Sequence, residues 1–571
     1  MKILLVCLFV VSTSCTRSSH EDLTQKILNL ASTPISHFDP QLVTDLSSLL
    51  VLAKSYEALM ETHPYQAPYV VLPNLAVGMP EVSPDGRVYT FKIRSDIFYH
   101  PCECFGAGKT RKVVAADFET AFKRMADPHI QSPHFSYWAK QIAGLTEWYE
   151  MQKTLPKTDY ARSISGVTAL DETTLKINLK MRNHYFLNDL TVSVTAPLPQ
   201  EALDFYHNNL AEVMVGTGPF ILKNVVHKNR LEFEKNLQFR EKFFPGDPSR
   251  RVPFVDKVVV TVINEAQTTW LNFLKGKVDY LEIPKDSFDS SITAQASLAP
   301  ELEGKGIKLG ITDSNTNLYY FGINNRHPYL KSRALRQAML MAFDHAKFNR
   351  LFFNGTAQIA HTVLPPGIPG NETPLQNPLL GAPLAQAKKM LASAGFAEGK
   401  GLPTLTLTVR DTTLARQVGE FFQQEMAKIG VQIKVDMVPF ATLLERAQKG
   451  KLEIFYLAWF VGVPTGLQFF DLLYGPNWPA SFNRVAFQND EFDRLYQQAL
   501  GAPTRESQNG LFHKMNQIAL EQIPLIPIVH ARDFFVHQGW IKNFVPSETA
   551  LGLEQYFDVD LELKAKLLKS L

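Results

Sequence analysis

The segment from Thr404 to Trp478 limits the possible folds most. Residues 404–409 are an apolar-polar run with the alternation of a strand. Leu414, Val418, Phe421, Phe422 and Met426 then recur on one helical face, closed by Gly430 just past Ile429. Val431, Ile433, Val435 and Met437 alternate as the next strand, residues 443–448 fit a short helix, and residues 454–458 are a third strand rich in aromatic and branched side chains. Strand and helix in turn predict an α/β fold. The chain leaves the sheet at Gly462, Pro464 and Gly466. At that break stand Trp459 and Phe460, followed by Phe469, Phe470 and Tyr474. Large aromatics at a strand mouth beside glycines suit a concave binding site. A core strand with a buried turn is the competing reading of these residues.

Elsewhere the same signals recur. Residues 27–31 read as a strand, Ser36-His37-Phe38-Asp39-Pro40 as a turn, and residues 46–60 as a helix. Ser83-Pro84-Asp85-Gly86 is a hairpin turn into the alternating strand 88–93. Residues 116–125 look helical, 175–179 form a strand, and Gly216-Thr217-Gly218-Pro219-Phe220 turns into another. A strand at 255–263, and helices at 267–274, 333–343 and 384–394, complete the outline, with a loop at 365–383 and no internal repeat. At 571 residues the chain exceeds one ordinary core and suggests about three to four domain-sized units. Its 58 basic and 56 acidic side chains nearly cancel, which gives no reason to expect a nucleic-acid partner.

The first residues form a secretory signal: Lys2, then apolar Ile3 to Val11, then Ser12, Thr13 and Ser14 before Cys15. This resembles a bacterial lipoprotein cleavage site, in which Cys15 would become the lipidated first residue, although Ser12 stands where such sites usually carry Leu. Signal 1–15 and an exported, lipid-anchored protein are the expectation. Cys102 and Cys104 are separated by one residue, a poor geometry for a disulfide, so reduced thiols are expected and the hydrophobic core must carry stability.

His100, Cys102 and Cys104 form a weak metal-ligand candidate, set against a structural loop with no fourth ligand in view. Gly106-Ala107-Gly108-Lys109-Thr110 imitates a phosphate-binding loop, but Glu103 occupies the place of its first glycine. Neither H-E-x-x-H nor G-x-S-x-G occurs, and no residue pattern argues for catalysis or a cofactor.

Taken in order, several short motifs resemble the large peptide-binding class of solute-binding proteins of ABC importers. They are His37-Phe38-Asp39-Pro40-Gln41, Val82 through Phe91, Arg124-Met125-Ala126-Asp127-Pro128, Gly216 through Phe220 and Gly276-Lys277-Val278-Asp279. Tyr320-Phe321-Gly322-Ile323-Asn324-Asn325, Arg333 through Ala338, and Ala387 through Phe396 come next in the chain. The resemblance spans nearly the whole mature chain. It implies a two-lobed, hinged fold: a first lobe from 16–55, 181–307 and 523–571, an extra domain at 56–180, and a second lobe at 308–522. It further implies a non-enzymatic, monomeric protein that closes on a peptide and delivers it to a membrane permease.

Carried over by position, the resemblance places Thr44, Asp45 and Leu46 against the ligand through their backbone, His134 facing it, and Phe440 and Trp459 as aromatic walls. Tyr456, Phe460 and Gly462 complete the expected site. Peptide binders usually carry an Asp three residues after the Trp, for the peptide's α-amine; here that residue is Gly462. Tyr456 and Ala447 stand where arginines can face the ligand's carboxylate end. Asp471, nine residues past Gly462, is a substitute carboxylate. An unpartnered buried ammonium costs on the order of several kcal/mol. The alternatives are therefore a ligand without a free α-amine (a modified peptide, a glycan or a chelated metal) and, from another class, a metal enzyme around His100, Cys102 and Cys104. The insertion 101–112 beside the cysteines is a further departure from the family.

Overall fold

The α/β alternation of residues 404–458 builds half of a six-stranded sheet. In the computed structural model, Leu405–Arg410 lies parallel to both Ile433–Val438 and Ile454–Phe460. Helices Thr413–Ala427 and Phe440–Gln448 make the crossovers that parallel strands require. On the other side the sheet is antiparallel: Asn317–Ile323 pairs with Ile454–Phe460 and with Leu525–His530, and Gln358–Ile359 closes the edge. Both faces are covered. Phe321, Phe343, Phe348 and Phe422 pack on one, Tyr320, Phe455, Phe470 and Phe512 on the other. The described residues are 24–66, 70–226, 229–293, 295–312, 316–463, 465–479, 482–547 and 550–569. Signal 1–15, its Cys15, and Pro464 lie outside them.

The first half of the chain carries two four-stranded sheets. In one, Ile27–Ser32 runs parallel to Lys257–Val262, followed by Arg230–Lys235 and Phe220–Val226. In the other, Glu81–Val82, Val88–Lys92, Thr174–Asn178 and Val167–Ala169 are antiparallel. Its core includes Phe118, Phe122, Trp138 and Trp148 from the helices above it. A small sheet of Tyr280–Glu282, Phe534–His537 and Lys308–Ile311 lies where the chain passes into and out of the six-stranded sheet. The two crossings are tied together: Thr312 N donates to the Asp533 carbonyl at 3.0 Å, and Ala531 N to Asn317 Oδ1 at 2.7 Å. The result is a two-lobed α/β protein. No described helix is long and apolar enough to cross a membrane.

The expected helix 46–60 is shorter. It runs Leu46–Leu52, and Met60 already begins the strand Met60–Thr62. The carbonyls of Lys54 and Ser55 are taken by Phe220 N and Gly218 N instead of by a further helical turn. Gly216 is what lets that segment approach, since a Cβ there would stand 1.9 Å from the Ser55 carbonyl oxygen.

The cysteine expectation is also corrected: Cys102 and Cys104 are disulfide-bonded. Cys102 caps the tight turn Glu103–Phe105, which brings the two Cα atoms to 5.2 Å, within the span of an ordinary disulfide. So small a ring restrains little of the unfolded chain, and the core still carries stability. The bond also dissolves the metal candidate. Both sulfurs are used, and His100 Nε2 sits 2.9 Å from the Gly218 carbonyl.

Many quoted motif residues hold the fold together. Asp279 accepts from Trp540 Nε1 at 2.7 Å, and Arg336 donates to the carbonyls of Leu330, Lys331, Gln522 and Ile523. The strongest case joins two separate motifs. Arg124, fully buried, grips Asp39 in a two-pronged ion pair at 2.6 and 2.8 Å. Its remaining N–H groups donate to Gln41 Oε1, Asn208 Oδ1 and the Asn208 carbonyl. All five donors are satisfied, which burial of a guanidinium demands. Arg124→Met leaves Asp39 charged, buried and unpaired. Urea unfolding should show a loss of about 3–5 kcal/mol, and Arg124→Lys should recover only part of it, because an ammonium cannot make the two-pronged pair.

Candidate ligand-binding cleft

The strand Ile454–Phe460 delivers Trp459 and Phe460 to an open cleft, and the turn and short helix after the strand hold them there. Thr465 caps the helix Gly466–Phe470 by accepting from Gln468 N. Gln468 in turn fixes the strand end: its carbonyl accepts from Trp459 Nε1 at 2.9 Å, and its Oε1 from Val463 N at 3.3 Å. The Trp459 ring stands edge-on to Phe482, centroids 5.1 Å apart. Phe460 is exposed beside Tyr319. A Cβ at Gly462 would meet nothing within 4 Å, so this position opens into space.

Two adjoining cavities, of about 560 and 290 Å³, run along this strand end and share Tyr137, Asp189 and Gln468. Their opposite wall belongs to the first half of the chain, through the helices Phe135–Gln141 and Phe186–Asp189. Trp459 and Phe460 line the larger cavity; His134 and Gly462 line the smaller. His134 Nε2 lies 2.8 Å from the Val43 carbonyl, and burial lowers the imidazole pKa. That bond pins the chain just before Thr44. Asp45 caps the helix Leu46–Leu52 through Ser48 N, and Leu49 of that helix reaches the smaller cavity, whereas Thr44, Asp45 and Leu46 do not line it.

Two further expected residues stand apart. Phe440 opens the helix Phe440–Gln448, half exposed beneath the Arg410 guanidinium at 4.7 Å, and lines neither cavity. Tyr456 points to the sheet face opposite Trp459, where it packs on Phe321 at 5.4 Å; burial raises its pKa. No residue of the insertion 101–112 lines either cavity.

Sequence reasoning named Asp471 and His134 among the polar residues of the cleft but missed Asp189 and Gln508. Asp189 accepts from Tyr137 OH at 2.7 Å and from Asn183 Nδ2 at 3.0 Å. Burial pushes its carboxyl up to about 6, against the lowering effect of hydrogen bonds from Tyr137, Gln141 and Asn183. Asp471, on the other wall, accepts from Tyr496 OH at 2.7 Å and Asn477 Nδ2 at 3.1 Å, both at Oδ1. Burial raises its pKa as well. Nothing near Asp189 in the sequence marks it, since it ends a four-residue helix without periodicity.

Two α/β lobes, joined by paired crossings and facing each other across a lined cleft, define a two-lobed periplasmic-binding architecture. HbpA2 from Haemophilus parasuis superposes with a TM-score of 0.76 at 21% identity, covering 94% of this chain and 100% of that one. The model for bacterial extracellular solute-binding proteins, family 5 Middle, matches residues 70–481, and the chain belongs to that family. Among its relatives, heme-binding protein A of Haemophilus influenzae is 23% identical, over 85% of this chain and 83% of its own length. The dipeptide-binding protein of Escherichia coli K12 is 24% identical, over 92% of each chain.

The raised Asp189 pKa fixes a pH dependence. The folded protein holds this proton more tightly than the unfolded chain, whose Asp titrates near 3.8. Stability from this group is therefore present below the unfolded pKa and is lost as pH rises through about 6. Asp189→Asn should remove that slope and make the ligand-free protein about 1 kcal/mol more stable at pH 7.5. Denaturant unfolding of both proteins at pH 5 and pH 7.5 measures it.

Proposed function

We propose that this protein captures peptides between its two lobes and delivers them to the permease of an ABC importer, acting as a monomer tethered to the membrane by lipid on Cys15. In this reading residues 16–55, 181–307 and 523–571 form the first lobe, 56–180 its extra domain and 308–522 the second lobe. What carries it is the cleft, lined from both halves by Trp459, Phe460, His134 and Gly462. The E. coli relative named for dipeptides supports the ligand class. An extended peptide would run past the backbone of residues 44–46, with its side chains in the two adjoining cavities. Closure over the ligand then shifts a two-state equilibrium that a permease can read.

A second reading keeps the fold and changes the cargo to a non-peptide or amine-blocked solute. Gly462 favours it, because it opens into space with no carboxylate, as does the relative named for heme. Native mass spectrometry on protein purified gently from its producing cell separates the two. A ladder of adduct masses resolving into peptides is the expected result; one non-peptide mass would transfer the function to the second reading.

A further inference from the structure

We infer that the larger cavity holds a subsite for a cationic nitrogen group of the ligand, an ammonium or guanidinium, bound by Asp189 from one wall and Asp471 and Gln508 from the other. The inference deepens the capture reading above and rests on it.

Three independent acceptors converge on this cavity. Asp189 and Asp471 both line it, and each is hydrogen-bonded only by neutral donors. Oδ2 of Asp471 has no donor among the described residues, where an ionised carboxylate can accept about four hydrogen bonds. Gln508 also lines the cavity and is 1% exposed. Its Nε2 donates to the Ala499 carbonyl at 2.8 Å, which fixes the amide, and its buried Oε1 has no donor among the described residues. A buried acceptor without a partner costs about 1–3 kcal/mol, and a ligand N–H would relieve it.

The protein's own cations do not fill this need. Neither carboxylate forms an ion pair among the described residues. Arg182, at the edge of the cavity, spends its guanidinium on the carbonyls of Pro84, Asp85 and Pro503, and His184 Nε2 faces the Ala502 carbonyl at 2.6 Å. Lys140 is exposed; its charge lowers the Asp471 pKa without pairing to it. Tyr137, Tyr185 and Tyr496 are the remaining titrating groups of this cavity, and burial raises all three. The aromatic walls suit a cation too, since a cation over a ring face gains about 0.5–2 kcal/mol. Because the carboxylates come from opposite walls, one cationic group contacts both only when the walls are close. Its charge therefore favours the closed state over the open one.

The test uses the full chain in detergent and three probes: a pool of free tri- to pentapeptides, the same pool N-acetylated, and an N-acetylated pool with one lysine per peptide. Asp189→Asn and Asp471→Asn are isosteric, and thermal melting confirms that each variant is folded. The free pool should bind wild type at least tenfold more tightly than the acetylated pool, and each variant should lose at least tenfold for the free pool but little for the acetylated one. Recovery of binding by the lysine pool would identify a side chain, rather than the α-amine, as the source of the cation. Free-peptide affinity should also fall as pH drops through about 6, and Asp189→Asn should flatten that profile. Variants that bind the free pool like wild type, or that lose free and acetylated peptides equally, overturn the subsite. If no pool binds wild type, the peptide reading fails by itself, and co-purified cargo decides the subsite. Loss of a nitrogen-bearing cargo from both variants upholds it, and unchanged retention refutes it.

Discussion

The buried pair of Arg124 and Asp39 is the constraint on which the cleft depends. A guanidinium with no access to water must find a partner for each of its five N–H groups, and here the partners come from two distant stretches of chain. Asp39 and Gln41 belong to the turn after the first strand, and Asn208 to the turn after the helix Gln200–Phe205. Once Arg124 fixes residues 39–41, the next segment has little freedom. Ser132 Oγ donates to the Gln41 carbonyl at 2.6 Å, and His134 meets the Val43 carbonyl. Both lie at the start of the helix Phe135–Gln141, which carries Tyr137 into the cleft. One ion pair thus sets where residues 44–46 run and where one cleft wall stands.

Two kinds of buried charge coexist, and their energetics differ. Arg124 with Asp39, Lys54 with Glu554, and Arg240 with Glu57 are paired within 2.7 Å and nearly inaccessible to water. Their burial cost is offset inside the protein. Asp189 and Asp471 have hydrogen bonds but no ion-pair partner among the described residues, and burial raises the pKa of both. That is the pattern of a site left incomplete by the chain itself, in which stability is given up so that a ligand can supply what is missing.

The same contrast explains how much of the molecule is legible in its sequence. The fold is legible because local patterning and tertiary structure agree. The alternation of residues 404–458 becomes the parallel half of the six-stranded sheet, and the motifs around Asp39, Arg124, Gly216 and Asp279 become packing and hydrogen-bonding devices. The helix over 46–60 fails because an apolar spacing says nothing of a distant glycine turn that claims the carbonyls of Lys54 and Ser55. The expectation of free thiols fails because a short separation does not by itself fix the geometry, and the turn at Glu103 bends the chain enough to join them. In the cleft, position along one strand carries Trp459 and Phe460. The same strand's alternation sends Tyr456 into the core, so adjacency in sequence is a poor guide to sharing a surface. Asp189, Gln508 and Tyr137 acquire meaning only when three distant segments face one cavity, and no local pattern encodes that.

The cleft walls already touch at one edge. Arg182 and His184 on one side hold the carbonyls of Pro503 and Ala502 on the other, and Arg505 returns a hydrogen bond to the His184 carbonyl. Arg182, His184 and Arg505 are not buried, so each contact is partly exchanged for water when the walls part and stabilises closure only modestly. A rim of this kind leaves the balance between open and closed states to the interior. There, the donors that Asp471 Oδ2 and Gln508 Oε1 lack among the described residues are not supplied by the rim, whose arginines are committed to backbone carbonyls. A cationic molecule inside the cleft would bridge both walls together, which is the differential affinity that a closing binding protein needs.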